Sequence, residues 1–299
     1  MKSNPDIIIV GSGLFGSMTA KYFRKKGLEC LIIDNKQPMA ASKCSFGVWK
    51  EGWINEKIRA EVDISLPILQ EFFTIEEKEF FNMDKQEVEV MSFLDCSQIL
   101  NEPFEELTVK SIVDKRVICS GVDEVLGEVE VVLNAKKAVI VCAGIWTAEL
   151  LSNYSTAPKL DNHYGATLEF KQKIDMSRFG QWAPYRQNVL LKLSEKKFVF
   201  GDGATVKNPK DNDERVKKVS DRLVTHAADT IGTLNPENIS KVNEGYRPYL
   251  AKGGSGKFVN KHDEGLYSAT GGAKNSTILC GFIAQELYRL VVPPKKKAK

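Results

Sequence analysis

Gly11-Ser12-Gly13-Leu14-Phe15-Gly16 repeats glycine at the spacing G-x-G-x-x-G, and the carboxylate of Asp34 follows 18 residues after Gly16. In such a loop the first glycine permits a tight turn, the second lets the backbone approach a pyrophosphate, and the third lets helix pack on strand. The amides of Leu14 and Phe15 open a helix, whose N-terminus offers free N–H groups and a positive dipole end to phosphate. Asp34, with Asn35 beside it, stands where an acid accepts hydrogen bonds from ribose hydroxyls and disfavours an added 2′-phosphate. This is a dinucleotide-binding pattern, and it does not by itself separate NAD from FAD. Its bland alternative is a tight strand–helix turn that binds nothing.

The surrounding elements support the motif. Ile7–Val10 is an unbroken apolar, β-branched run suited to a strand buried on both faces. Met18–Lys26 reads as a helix stopped by Gly27, and Leu28–Ile33 as the next strand. Beyond this unit, helices are expected at Ser65–Phe73, Asp213–Ile231 and Thr277–Leu290, with another starting at Trp146–Leu151. Strands are expected at Val88–Phe93, within Glu106–Val141, within Tyr164–Phe200 and at Gly265–Ala269. Parallel-type elements at both ends and in the middle, with antiparallel-type strands between, imply two interleaved α/β units.

Three small-residue stretches bear on which dinucleotide is held. Met39 to Gly47 follows the second strand and contains Ala41, Ser42 and Ser45. Ala138 to Trp146 is a buried strand ending in Ala143-Gly144, with Trp146 two residues on. Small residues in both let backbone lie against a long ligand. Tyr267 to Ser276 carries Gly271-Gly272-Ala273-Lys274-Asn275-Ser276 and leads through Thr277 into a helix, whose N-terminus could stabilise negative charge on a reduced flavin. Each stretch alone is equally consistent with tight packing.

Together, in this order, they resemble the FAD-dependent amino-acid and amine oxidases, the family of D-amino acid oxidase, glycine oxidase and sarcosine oxidase. The resemblance is strongest at residues 6–53, 137–151, 187–205 and 244–290. It implies FAD as cofactor and an α/β fold in which a Rossmann-like FAD-binding domain (1–73, 105–155 and 245–292) is interleaved with an antiparallel-sheet α+β substrate domain (74–104 and 156–244). The family's adenine-facing valine falls on either Val109 or Val113.

Glu244-Gly245-Tyr246-Arg247-Pro248 resembles the family's G-x-R-P segment, which makes Arg247 the partner of a substrate carboxylate. A planar guanidinium suits that task; a structural salt bridge is the competing reading. Lys274 stands where the family often has an arginine, as a cation near flavin and O2 or as a solvated lysine. Tyr246, Tyr164 and His163 are further pocket candidates. Gly272 in place of a common histidine, Ser276 in place of a common glycine and a compressed 74–104 region depart from the pattern and leave the substrate open.

The resemblance implies oxidation of the C–N bond of a glycine-like or N-substituted amino acid, with O2 as acceptor and hydrogen peroxide as product. Two alternatives stand beside it: the same chemistry on a glycyl-type amine attached to a nucleic-acid base, and a dinucleotide-binding protein without turnover. The basic tail Pro293-Pro294-Lys295-Lys296-Lys297-Ala298-Lys299 would suit a polyanion or simply be solvated.

Composition narrows the rest. There are 42 Lys and Arg against 39 Asp and Glu, a net charge of +3, so no whole-protein bias toward nucleic acid or membrane exists. No apolar run is long enough for a membrane helix, and the N-terminal run is too short for a signal peptide; a cytoplasmic protein is expected. Cys30, Cys44, Cys96, Cys119, Cys142 and Cys280 form no C-x-x-C pair and read as reduced, mostly buried thiols. With His163, His226 and His262 scattered, no metal site is expected.

Overall fold

The computed structural model describes residues 4–293 apart from 83–84, 86, 124, 172–188, 195–196, 202, 204, 211, 233 and 255. The lysine-rich tail therefore lies outside the described residues, as do several positions of the 187–205 stretch.

The chain begins with β1 (Ile7–Val10), α1 (Leu14–Lys25) and β2 (Cys30–Asp34), the expected unit. Strands β1 and β2 are parallel, with Ile7 opposite Cys30 and Val10 opposite Ile33. Helix α1 starts four residues earlier than its apolar pattern indicated, because the glycine loop feeds straight into it. It stops at Gly27, whose φ of +81° lets the N–H groups of Gly27 and Leu28 turn back to Arg24 and Phe23.

Next come β3 (Val48–Trp49), α2 (Arg59–Phe72), β4 (Glu76–Asn82), β5 (Glu87–Phe93) and α3 (Cys96–Leu100). Strands β3, β5 and β4 form a small antiparallel sheet in that order. The sequence pattern showed β5 but hid β4, where EEKEFFN scatters its apolar residues among acids. The chain continues through β6 (Glu105–Glu106), the antiparallel meander β7 (Thr108–Val113), β8 (Arg116–Asp123) and β9 (Gly127–Asn134), then β10 (Ala138–Val141) and the short α4 (Thr147–Leu150).

A second sheet follows from β11 (Leu160–Phe170), β12 (Val189–Ser194), β13 (Lys197–Gly201) and β14 (Val206–Lys207), backed by α5 (Glu214–Ile231). Helix α5 begins where its cap predicts, with the Asp213 carboxylate accepting from the Arg215 N–H at 2.9 Å. The long β15 (Ile239–Leu250) pairs with β11 along its length. Pro248 masks β15 in the sequence; it is tolerated because β15 has β11 as its one ladder partner among the described strands. The chain ends with β16 (Val259–Asp263), β17 (Leu266–Ala269) and α6 (Ser276–Val291).

The main sheet runs β16–β17–β10–β1–β2–β6, with β17, β10, β1, β2 and β6 parallel and β16 antiparallel to β17. Its strands thus come from both chain ends and the middle. Both faces are buried. Ile7, Ile9, Ile32 and Ile140 face a core shared with α1, α2 and α6, while Ile8, Val10, Ile33 and Val139 face the core beneath the β7–β9 meander. All six cysteines are free and buried. Among the described residues no helix is long and apolar enough to cross a membrane.

Candidate functional site

At the head of β1 each glycine of the loop has its own constraint. Gly11 has φ +104°, and a Cβ there would stand 2.5 Å from the Cys142 carbonyl oxygen at the end of β10. A Cβ on Gly16 would stand 1.9 Å from the Gly11 carbonyl oxygen, so α1 can lie against β1 only if this residue is glycine. A Cβ on Gly13 would instead meet the Ser42 hydroxyl at 2.9 Å. That hydroxyl accepts the Leu14 N–H at 3.1 Å. Gly13 offers no capping side chain and the first turn of α1 holds no acid, so no negative charge of its own offsets the helix dipole there.

Asp34 stands at the end of β2 as expected. Its carboxylate accepts from the Ser12 N–H at 2.6 Å, the Ser12 hydroxyl at 2.8 Å and the Lys36 N–H at 2.6 Å. Asp34 therefore braces the glycine loop while keeping lone-pair capacity for a ribose. Asn35 is exposed next to it. Of the valine pair, Val109 packs on the core beneath the meander, whereas Val113 is half exposed.

From the α1 N-terminus a cavity of about 460 Å³ runs between the sheets, within the usual range for ligand pockets. Its lining includes the expected Gly13, Leu14, Phe15, Ala41, Ser42, Ser45, Ala143, Gly144, Trp146, Tyr246, Arg247, Ala273, Lys274, Asn275, Ser276 and Thr277. Gly11, Gly16, Asp34, Asn35, Gly271 and Gly272 do not line it. A Cβ on Gly272 would stand 2.5 Å from the Phe15 ring, so Phe15 fills the space a side chain at 272 would need. Hydroxyl bridges tie the wall together. The Ser45 and Thr277 hydroxyls meet at 2.9 Å, and the Thr270 hydroxyl donates to the Gly144 carbonyl at 2.9 Å.

Two helix ends converge on this space. The N-cap of α6, Asn275, makes no side-chain capping bond, and the helix's first turn holds no acid. Its residues Ser276, Thr277 and Ile278 border the cavity. An extended ligand with phosphate at one end and a charge-accepting ring at the other meets a positive helix terminus at each.

The charges at the far end are all of one sign. Arg247 and Lys274 are the only charged residues lining the cavity among those described, and no histidine joins them. Arg247 sits on β15 opposite His163 of β11. Its guanidinium lies over Gly165, where a Cβ would come within 3.2 Å of the Arg247 Cζ. No acidic side chain among the described residues pairs with Arg247. The Lys274 ammonium is pushed below the usual lysine range, first by the protein crowding it and then by the Arg247 charge.

Three other candidates are placed differently. Tyr246 borders the cavity, but neighbouring residues on a strand face opposite ways, and its ring packs edge-on to Tyr164 at 5.9 Å in the core with α5. The Tyr164 hydroxyl itself donates to Glu244. His163 does not line the cavity; it stacks on Tyr249 at 4.1 Å and is held below the usual histidine range by burial, then Lys207 and the two cavity cations. Cys44 does line the cavity, but burial pushes its thiol up to about 11, so it is no thiolate at neutral pH.

The sequence reading missed Phe46, Trp49 and Trp53, which also line the cavity. A signal existed: three aromatics within eight residues interrupt a stretch otherwise rich in small residues.

No family model and no curated protein matches this chain. Solved structures do. The glycine oxidase of Geobacillus kaustophilus superposes with a TM-score of 0.68 at 14% identity over 99% of this chain and 97% of that one. The iminodiacetate oxidase of Chelativorans sp. BNC1 gives 0.67 at 13%, over 98% and 97%. The L-alpha-glycerophosphate oxidase of Mycoplasma pneumoniae, solved with FAD bound, gives 0.66 at 12%, over 99% and 97%. The likeness spans nearly the full length of each chain, and this protein therefore shares the fold of these oxidases.

Proposed function

We propose that this protein is an FAD-dependent oxidoreductase that oxidises the C–N bond of a carboxylate-bearing amine, a glycine-like or N-substituted amino acid. The carrying observation is the cavity itself: it joins the N-termini of α1 and α6, neither with an acid in its first turn, and ends at two cations with no acid or histidine among the described residues of its lining. A cavity of that charge favours an anionic substrate.

The residues present fit FAD. The glycine loop and α1 would hold the pyrophosphate, Asp34 the ribose, Ala41, Ser42 and Ser45 the extended middle, and residues 271–277 the flavin's pyrimidine side. When bound, FAD supplies the hydride acceptor and passes the electrons on to O2. Arg247 grips the carboxylate with its planar fork and so fixes which face of the α-carbon is presented. Arg247 and Lys274 together oppose an ammonium beside them, which favours the neutral amine that hydride loss requires. No side-chain base is needed, in keeping with the lining. The α-carbon loses hydride and the nitrogen its proton; water then adds to the imine and the C–N bond breaks. The sum is amine, O2 and water giving carbonyl acid, a smaller amine and hydrogen peroxide.

On this reading residues 1–73, 105–155 and 245–292 form the cofactor half and 74–104 and 156–244 the substrate half, with β15 running through the boundary. The test is the visible spectrum of the purified protein, followed by anaerobic addition of glycine, sarcosine and D-alanine. A flavin spectrum bleached by a carboxylate-bearing amine is expected. A protein that cannot be loaded with FAD overturns the proposal.

A further inference from the structure

Few of the side chains that line the cavity could attack a carbonyl carbon. Cys44 and Cys142 are buried thiols, pushed up to about 11 and about 12, and supply no thiolate at neutral pH. The Ser45 and Thr277 hydroxyls are bonded to each other, and the Ser42 hydroxyl accepts the Leu14 N–H. With no histidine or acid among the described residues of the lining, no base is at hand to activate a hydroxyl. Lys274 remains, a primary amine.

That amine stands on a fixed base. Gly272 pairs with Tyr249 of β15 in a single bridge, the Asn275 N–H donates to the Gly272 carbonyl at 2.9 Å, and the Ser276 hydroxyl donates to the Ala273 carbonyl at 3.0 Å. Ala273 holds φ +50°, a left-handed conformation that a non-glycine residue keeps only where its surroundings impose it. Tyr249 lies two residues beyond Arg247 on the same face of β15, so this turn meets the strand one pleat from Arg247. Among the described residues Lys274 makes no ion pair. Its ammonium is held below the usual lysine range, first by burial and then by the Arg247 charge, and the neutral amine is the nucleophile. A ligand carboxylate at Arg247 offsets the second cause and leaves the first.

Resting on the oxidase reading above, we propose that Lys274 is a covalent site for the carbonyl acid formed in this cavity: a small 2-oxo acid, held by its carboxylate at Arg247, forms a reversible imine with the Lys274 Nζ. The nitrogen attacks the carbonyl carbon and an N–C bond forms. The C–O bond breaks, and the oxygen leaves as water with the two protons of the amine. Nothing is oxidised or reduced, and water reverses the step to free the acid. A guanidinium in place of Lys274 would supply the same charge without this chemistry.

The FAD-loaded protein is incubated at neutral pH with glyoxylate and cyanoborohydride, which fixes an imine as a secondary amine, then digested and read by peptide mass spectrometry. A carboxymethyl group on Lys274 is expected at least about tenfold above that on any other lysine, the effect of holding a carbonyl beside an amine. Acetaldehyde has the carbonyl without the carboxylate and is expected to label Lys274 at least about tenfold less. Excess acetate is expected to suppress the glyoxylate label in the unaltered protein. By titration followed in the flavin absorption, glyoxylate is expected to bind more tightly than acetate, and Lys274→Arg to remove that difference. Label spread evenly over the lysines, or equal labelling of Lys274 by acetaldehyde and glyoxylate, overturns the site. Bleaching of the flavin by an amine without label on Lys274 overturns the site and leaves the oxidase reading standing. Label on Lys274 with bleaching by no amine supports the site and overturns the oxidase reading.

Discussion

Arg247 concentrates the functional case at the scale of a single side chain. A half-buried guanidinium with no acidic partner among the described residues is costly unless a ligand carboxylate completes it. Arg247→Ala should therefore raise KM for a carboxylate amine with little loss of bound flavin. The lost charge-assisted pair is worth about 3 kcal/mol, roughly 150-fold in kcat/KM. Steady-state kinetics beside a flavin spectrum check this, and an unchanged KM would move the carboxylate elsewhere. The run Gly245-Tyr246-Arg247-Pro248 singled out both Tyr246 and Arg247, and both border the cavity. A one-residue step along a strand changes the face, and only the register of β15 on β11 says which face is which.

Among the elements, α2 and α6 approach each other closely. Gly281 of α6 lies against α2, where a Cβ would meet the Ser65 carbonyl oxygen at 2.7 Å, and the Phe282 N–H donates to the Ser65 hydroxyl at 3.0 Å. Neither backbone can yield without separating the helices. Gly281→Ala should destabilise the fold by about 1–3 kcal/mol, read as a lower midpoint in urea unfolding. Because α6 also offers its N-terminus to the cavity, the same variant should bind FAD more weakly. Helices α1, α5 and α6 were legible through caps, stop glycines and periodicity. Strands β4 and β15 were not: acids mask the alternation of one and Pro248 interrupts the other.

For the whole molecule, pH tests how the small sheet is tied to the rest. Glu89 of β5 is held down to about 2, chiefly by its bond to Lys50 and further by Lys85 and Asn82. A carboxylate depressed in the folded state stabilises the fold above its unfolded value near 4.5, and that stability is lost as pH falls from there toward 2. Acid unfolding followed by circular dichroism should thus steepen below pH 4.5. Glu89→Gln should be less stable at pH 7 and lose less on acidification. Since Lys50 covers Trp53, the variant should also loosen the aromatic side of the cavity.

The sequence by itself determined the glycine loop, the acid that follows it and the strands of the parallel sheet. All of these depend on local rules: glycine where a Cβ cannot fit, apolar runs where both faces are covered, caps where helices begin. Tertiary structure alone decided that residues 13–15, 40–42, 44–45, 142–146 and 273–278 border one cavity, that Arg247 and Lys274 share it without an acid among the described residues, and that Phe46 and Trp53 wall it. Those facts rest on strand register and on approaches between residues far apart in the chain, such as Ser45 and Thr277, 232 positions apart. No local pattern encodes them, because which face a side chain presents depends on the partner strand it pairs with.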